Sequence, residues 1–466
     1  MMPRTPPLRS IGFVLALLLA AGSVFLLIAR CSPAATLADH PSMPMPGVGE
    51  VTFSKNVAPI VFSNCVTCHR PGQVAPFSLM TYRDVSKHAD DIASVTDDRL
   101  MPPWKAAANF GDFVGVRHLS DDQIATIDAW VKAGKPEGNP ADLPPMPTFA
   151  SGWQLGEPDL VVKVPQPFTV PAEGRDVYRC FVIPLNLDAE KYVAAVDFRP
   201  SNPRVVHHAL FFLDNNGAGR RLEAQAGDGQ PGYWHSGGPG FMPSGGLGGW
   251  APGYQPLFLP QDVGRPIRAG ADLVIQTHFH PTGKPEVEQS TIGIYFRKSV
   301  PSKLLVSFPR SVRRIDIPAG DNDYRIHDQF TVPKNITLEG ITPHAHLLCQ
   351  EIKAVATLPD GSTQPLIWVP KWDWGWQEQY QYRQPLKIPA GTRVDIDYRY
   401  DNSADNPKNP HDPPQRVRYG EQTGDEMGIV FFQMEVTRAD MAAFIAQAIR
   451  RRIQQQQQPT TAPAER

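Results

Sequence analysis

The chain has 466 residues, 41% hydrophobic and 20% charged, and its 45 Lys and Arg nearly balance 47 Asp and Glu for a net charge of −2. That length allows roughly three domains of ~150 residues, the composition is globular rather than disordered, and the lack of a long basic block excludes nucleic acid as a partner. Proline, at 49 residues, breaks long helices and turns the last two thirds of the chain toward short strands and loops.

The first element is apolar. Arg4 and Arg9 precede "IGFVLALLLAAGSVFLLIA" (11–29), which has the form of a secretory signal and is also long enough to span a bilayer. "TLA", ending at Ala38, offers a fair cleavage site, while Arg30 ahead of Cys31 argues against a lipoprotein signal. Residues 1–38 are read as a signal peptide or a membrane anchor. Under either reading the remainder is exported, free in the periplasm or held at the cytoplasmic membrane facing it.

"NCVTCH" (64–69) is C-x-x-C-H, the pattern for covalent attachment of a c-type haem. Two thiols, Cys65 and Cys68, add to the haem vinyl groups, and His69 falls beneath the iron. A thioredoxin-like pair does not need the histidine, and a zinc tetrad lacks its second C-x-x-C. Met101 in "RLMPPWKA" (99–106) is the expected sixth ligand, with His88 and His118 as alternatives and Met80 assigned to the core. A thioether there raises the haem potential relative to a second histidine. "LSDDQIATIDAWVKAGKPEG" (119–138) reads as a capped amphipathic helix with Ile124, Ile127, Trp130 and Val131 on one face. Motif, methionine loop and closing helix resemble the order in class I cytochromes c. The resemblance implies an all-α class I cytochrome c-like domain over 45–138. "GNPADLPPMPTF" (138–149) then breaks the periodicity, and 139–154 is read as a semi-rigid proline-rich linker.

Beyond it the pattern is strands and turns: "YVAAVDFRP" (192–200), "VVHHALFF" (205–212), "ADLVIQTHFHP" (271–281), "ITLEGITPHAHLLCQEIKAVATLPDG" (336–361) and "TRVDIDYRYDNSA" (392–404). Glycine-rich loops such as "SGGLGGWAPG" (244–253) lie between them. Two all-β sandwiches are expected, at 155–299 and 300–438, with "FRKSVPSKLL" (296–305) as the seam and a helical, Gln-rich tail over 439–466. Of 13 histidines, seven fall in three strings: His207 and His208; His278 and His280; His344, His346 and, more loosely, His327. H-x-H on a strand puts both imidazoles on one face, where they can share a metal. Adjacent His207 and His208 are a puzzle, because neighbours on a regular strand point to opposite faces.

"VVHHALFF", "VIQTHFHP", "PHAHLL" and "TGDEMGIVFF" (423–432) occur in the order and spacing of the copper type II, ascorbate-dependent monooxygenases, the peptidylglycine α-hydroxylating and dopamine β-monooxygenase family, which residues 155–437 resemble. The resemblance implies two tandem jelly-roll-like sandwiches, each holding one copper. His207, His208 and His278 match the electron-transfer copper; His344, His346 and Met427 match the oxygen-binding copper, where catalysis occurs. His280 is left as a hydrogen bonder to a ligand. Imidazole holds both copper oxidation states and a thioether favours Cu(I).

The implied activity is insertion of one oxygen atom of O2 into a C–H bond of a small molecule or peptide. Electrons would come through the fused haem, from ascorbate, or from a redox partner protein. Thr342 stands where peptide-amidating members carry a substrate-binding arginine, and Phe431 where they carry a tyrosine, so peptidylglycine is an unexpected substrate. The rival reading is a non-enzymatic haem–copper electron-transfer or copper-binding protein. Cys180 and Cys349 are the candidates for a disulfide, in different expected domains.

Overall fold

The computed structural model describes residues 51–440 apart from 151 and 421. The apolar run at 11–29, and the tail from 441, lie outside the described residues. Among the described residues no helix is long and apolar enough to cross a membrane.

The described residues open with short helices: α1 (Ala58–Asn64), α2 (Tyr82–Lys87), α3 (Ala89–Asp97) and α4 (Asp121–Lys132). The expected capping of α4 is present: the Ser120 hydroxyl accepts from the Gln123 N–H while the Gln123 side chain bonds back to the Ser120 N–H. Ile127 and Trp130 of α4 pack with Phe53, Val57, Val61 and Val85 in a small core.

The β portion opens with β1 (Leu160–Lys163), β2 (Phe168–Val170), β3 (Val177–Pro184), β4 (Lys191–Arg199) and β5 (Val206–Asp214). After α5 (Ala218–Gln225) come β6 (Gly245–Trp250), β7 (Val263–Ile267), β8 (Asp272–Phe279), β9 (Glu286–Glu288) and β10 (Thr291–Phe296). The second half contributes β11 (Lys303–Ser311), β12 (Asp316–Ile317), β13 (Tyr324–Thr331), β14 (Ile336–Ala345) and β15 (Cys349–Thr357). It closes with β16 (Thr363–Val369), β17 (Tyr380–Ile388), β18 (Arg393–Tyr400), β19 (Val417–Arg418) and β20 (Gly428–Thr437).

Eight strands form one sheet, in the order β1-β10-β4-β7-β11-β20-β14-β17. The two halves of the chain meet inside this sheet, where β7 and β11 run parallel with Val263 opposite Lys303 and Gly264 opposite Leu304. Two four-stranded sheets, β3-β8-β5-β6 and β13-β18-β15-β16, accompany it. Strand β8 is buried along its whole length. Its Leu273, Ile275 and Phe279 enter the first β core, while the alternate residue Val274 packs with Cys180 and Tyr233 on the other face. His278 lies on that second face.

The expected architecture, an all-α class I cytochrome c-like domain followed by two tandem jelly-roll-like sandwiches, is corrected here. Strand outweighs helix by 36% to 14%, and the described residues belong to one compact unit. The helices keep a small core of their own, but they do not enclose the loop between them. The segment between α3 and α4, expected to fold back over a haem, leaves them: Trp104, Ala106 and Phe113 are part of the core of the second β half. The Ala107 N–H bonds to Trp368 O, the Val114 N–H to Gln381 O, and the Arg383 N–H to Asp112 O. The helical periodicity was a sound local signal, but it says nothing about where an apolar loop finds its cover. The two β halves are likewise joined by a shared sheet, which hydropathy patterns do not encode. Cys180 and Cys349 are both free and buried, so neither is bridged.

Candidate functional site

The adjacent histidines are accommodated by a β-bulge. Along β5 and β8, Val206 is opposite Phe279 and the next partners are His208 and His278. Two residues of β5 thus span one of β8, His207 is the extra one, and the alternation of faces is broken there. His207, His208 and His278 then converge. Their ligand atoms all lie within 4.8 Å of one another, with His208 Nδ1 at 3.3 Å from His207 Nδ1 and 3.4 Å from His278 Nδ1. Nitrogens held ~2.0–2.1 Å from one tetrahedral ion lie roughly 3.3 Å apart, so the donor set fits a metal.

The far side of His278 is fixed as well. Its Nε2 lies 2.7 Å from Asp176 Oδ2 and donates to it, which leaves the Nδ1 lone pair facing the cluster. His280 Nδ1 lies 2.7 Å from the other Asp176 oxygen, so His280 shares the carboxylate and stays outside the cluster. The two histidine bonds hold the Asp176 carboxyl down to about 2. Burial, then the charge of His278, holds His207 down to about 4. Burial and the charges of His278 and His207 hold His208 well below the usual imidazole range. The Tyr178 ring stacks on His278 at 4.2 Å.

His344 and His346 sit at the end of β14, with ring centroids 5.4 Å apart. The neighbouring strand β20 is in register, His344 opposite Ile429 and Ala345 opposite Gly428, which brings the Met427 backbone to the same end. Met427 is buried. His344 Nδ1 bonds to Gln377 Oε1 at 2.6 Å and His346 Nδ1 to Asp425 O at 3.0 Å. The His344 ring therefore carries its proton on Nδ1 and keeps an Nε2 lone pair that can bind a metal, while His346 is bonded to the Asp425 carbonyl and also to the Gln422 backbone. Burial and the charge of His346 hold His344 down to about 4. Glu426 ties the strands together: its carboxyl accepts the backbone N–H groups of His346, Leu348 and Met427.

The loop "WDWGWQE" (372–378) joins the two clusters. Trp374 lies 4.9 Å from the His346 ring and 6.0 Å from that of His344, and its indole donates to Tyr178. Trp376 meets His207 edge-on at 6.2 Å. The clusters are close enough that a charge on His344 opposes protonation of His208.

At the helical end, the His69 Nδ1 bonds to Phe77 O at 3.2 Å, leaving Nε2 free. Cys65 and Cys68 are reduced, and burial pushes the Cys65 thiol up to about 12. Two neighbouring protonated thiols beside an imidazole with a free Nε2 fit a thioether-linked haem. Met101 is not brought to this place by any described contact and is 44% exposed. The imidazole that approaches His69 is His88, stacked at 3.9 Å on Phe77, whose own ring is 4.8 Å from His69. His118 is exposed, and His327 pairs with Asp397 and Asp395 away from both clusters. Arg117, whose charge acts on Cys68, forms an ion pair with buried Glu378. The Trp376 indole donates to the same carboxyl at 3.4 Å. Sequence reasoning missed Asp176, Gln377, Glu378 and the tryptophan loop; only Glu426, inside "GDEM", lay in a motif already singled out.

No known family's sequence model matches the chain, and no curated protein matches it. Among solved structures, the major capsid protein P2 of bacteriophage PM2 covers 60% of this chain and 99% of its own, at 9% identity and a TM-score of 0.23. The turret protein A223 of Sulfolobus turreted icosahedral virus covers 59% and 99%, at 9% identity and a TM-score of 0.13. Likenesses of that size carry no weight for fold or function.

Proposed function

We propose that the protein is an exported copper-dependent monooxygenase that hydroxylates a C–H bond with O2. The observation that carries the reading is the convergence of three imidazole Nδ1 atoms, one of them oriented by Asp176, beside a second pair of oriented imidazoles. His207, His208 and His278 would hold one copper, and His344, His346 and Met427 a second. When bound, copper supplies one-electron redox chemistry and O2 activation, which no side chain provides.

The protein's own groups do the positioning. Asp176 and Gln377 fix which nitrogen of His278 and of His344 is free. The low proton affinity of His207 and His344 keeps both imidazoles neutral at pH 7. Trp374 packs against His346 and Trp376 against His207, so one loop contacts both clusters. A haem attached at Cys65, Cys68 and His69 would lie beside Arg117, whose ion pair with Glu378 leads to Trp376 and His207. That proximity favours the haem as an electron source, with ascorbate feeding either centre. A purely electron-transferring protein would need the three-histidine cluster alone; the second pair of oriented imidazoles favours oxygenation.

Elemental analysis after copper loading should give two copper per haem iron, and reduced protein should consume O2 in proportion to hydroxylated product. Met427→His should retain both coppers and lose turnover, because imidazole disfavours Cu(I) relative to a thioether. A copper-to-iron ratio near zero, or zinc in place of copper, sinks the proposal.

A further inference from the structure

A cleft of about 700 Å³, counted out to its open mouth, lies between the two β halves. Phe198, Trp250 and Tyr254 line one side, Glu339 and Gln433 the other, and Arg265 of β7 stands at the seam. A smaller recess shares Trp250, Tyr254 and Gln379 with it and extends to His208 and to Gln377, the partner of His344. The two spaces adjoin at Trp250, Tyr254 and Gln379, and the smaller one reaches His208.

Arg265 is underused. A guanidinium has five N–H donors, and the described bond here is a single one, Nη2 to Gln433 Oε1 at 3.2 Å. Gln433 is itself oriented by its amide nitrogen, 3.5 Å from Thr342 Oγ1. Among the described residues no carboxylate forms an ion pair with Arg265. The nearby acid is Glu339, whose charge acts on Arg265 but which forms no ion pair with it and is pushed toward the neutral form by burial and Glu435. Glu339 Oε1 is buried with no partner. Half-buried cations that lack a counter-charge are costly, and a planar oxyanion that meets the guanidinium fork offsets that cost. The walls mix apolar side chains such as Phe198, Leu247 and Trp250 with the amides of Gln379 and Gln381, and among the lining residues there is no second cation of the kind a phosphate dianion requires.

We propose that this cleft binds a small organic acid with an apolar body. Its carboxylate sits on Arg265, and its body lies along Trp250 toward His208 and His344. As an anion site the assignment stands on Arg265 and the cleft; as the substrate site it rests on the oxygenation reading above.

The test uses full-length protein and isothermal titration calorimetry with phenylacetate, its uncharged analogue phenylacetamide, inorganic phosphate and ascorbate. Phenylacetate should bind at least about tenfold more tightly than the amide, the smallest gain expected of charge-assisted bonds. Arg265→Gln should erase that preference and Arg265→Lys should retain part of it, with circular dichroism confirming that each variant is folded. Equal binding of acid and amide by the unmodified protein overturns the proposal without any variant, and so does a preference that survives Arg265→Gln. Phosphate competing as well as phenylacetate overturns the carboxylate assignment, and ascorbate competing better assigns the cleft to the reductant instead. Binding is read on metal-free protein and hydroxylation on copper-loaded protein. Acid binding by a chain that takes up no copper upholds the anion site and removes the oxygenation reading. Hydroxylation confined to uncharged compounds overturns the substrate assignment and leaves oxygenation intact.

Discussion

His278 links the three-histidine cluster to the rest of the protein, since one ring nitrogen faces His208 and the other donates to Asp176. Asp176→Asn keeps an acceptor in place but removes its charge, which weakens the bond that fixes the ring. Changes of this kind typically cost about 10–100-fold in metal affinity. Copper titration against a competing chelator should show that loss, and an unchanged affinity would mean that the cluster does not hold the metal.

The depressed imidazoles also make a statement about acid. An ordinary imidazole at 6.5 takes up protons in the unfolded chain, whereas His207 and His344 resist to about 4. Between those values the unfolded state binds more protons, so stability falls as pH falls from about 6.5 to 4 and is fully present above that window. Urea denaturation of metal-free protein from pH 7 to pH 5 should show a falling midpoint. The double variant His207→Gln, His344→Gln should flatten the slope; if it does not, other groups carry the effect.

At the scale of single elements, β6 shows why the glycine run at 244–253 is needed. A Cβ on Gly249 would sit 2.8 Å from Ala209 O and 2.9 Å from Gln379 Nε2, and the first of these contacts is with backbone that cannot swing away. The bare strand lets β5 approach on one side and the loop after β16 on the other, closing the cleft wall beside His208. Gly249→Ala should cost about 1–3 kcal/mol by overpacking, read as a lower urea midpoint. A midpoint that does not move would show that β6 can shift without loss. The β5 bulge belongs to the same scale. "VVHHALFF" announces a buried strand, but a bulge is set by partner register, which a single strand's sequence does not contain.

Over the whole molecule, the helical front is held by the β structure rather than merely joined to it. Phe113 stacks on Tyr382 at 5.3 Å and is 1% exposed within the second β core. Phe113→Ala should destabilise the protein by about 3–5 kcal/mol. The fragment 45–138, expressed alone, should lack a cooperative thermal transition, because Trp104 and Phe113 lose their cover. A fragment that melts cooperatively would restore an independent helical domain.

The candidate ligands were partly legible because ligand chemistry is local in residue type and spacing. C-x-x-C-H named Cys65, Cys68 and His69, the H-x-H pairs pointed to a metal, and strand alternation gave His344 and His346 a common face; His278 rather than His280, and Met427, were singled out only by the resemblance to the copper monooxygenases. The sixth-ligand expectation at Met101 rested on chain order alone, and chain order does not determine where a proline-rich loop packs. Tertiary structure alone decided that His207 and His208 converge, through a register shift between two strands about seventy residues apart (His208 and His278). It also brought Asp176 behind His278 and set Arg265 in a cleft without an ion-paired carboxylate among the described residues. It merged the two β halves through one parallel contact. Each of these depends on pairing between distant segments, and the free energy of such pairing resides in contacts that neither segment makes by itself.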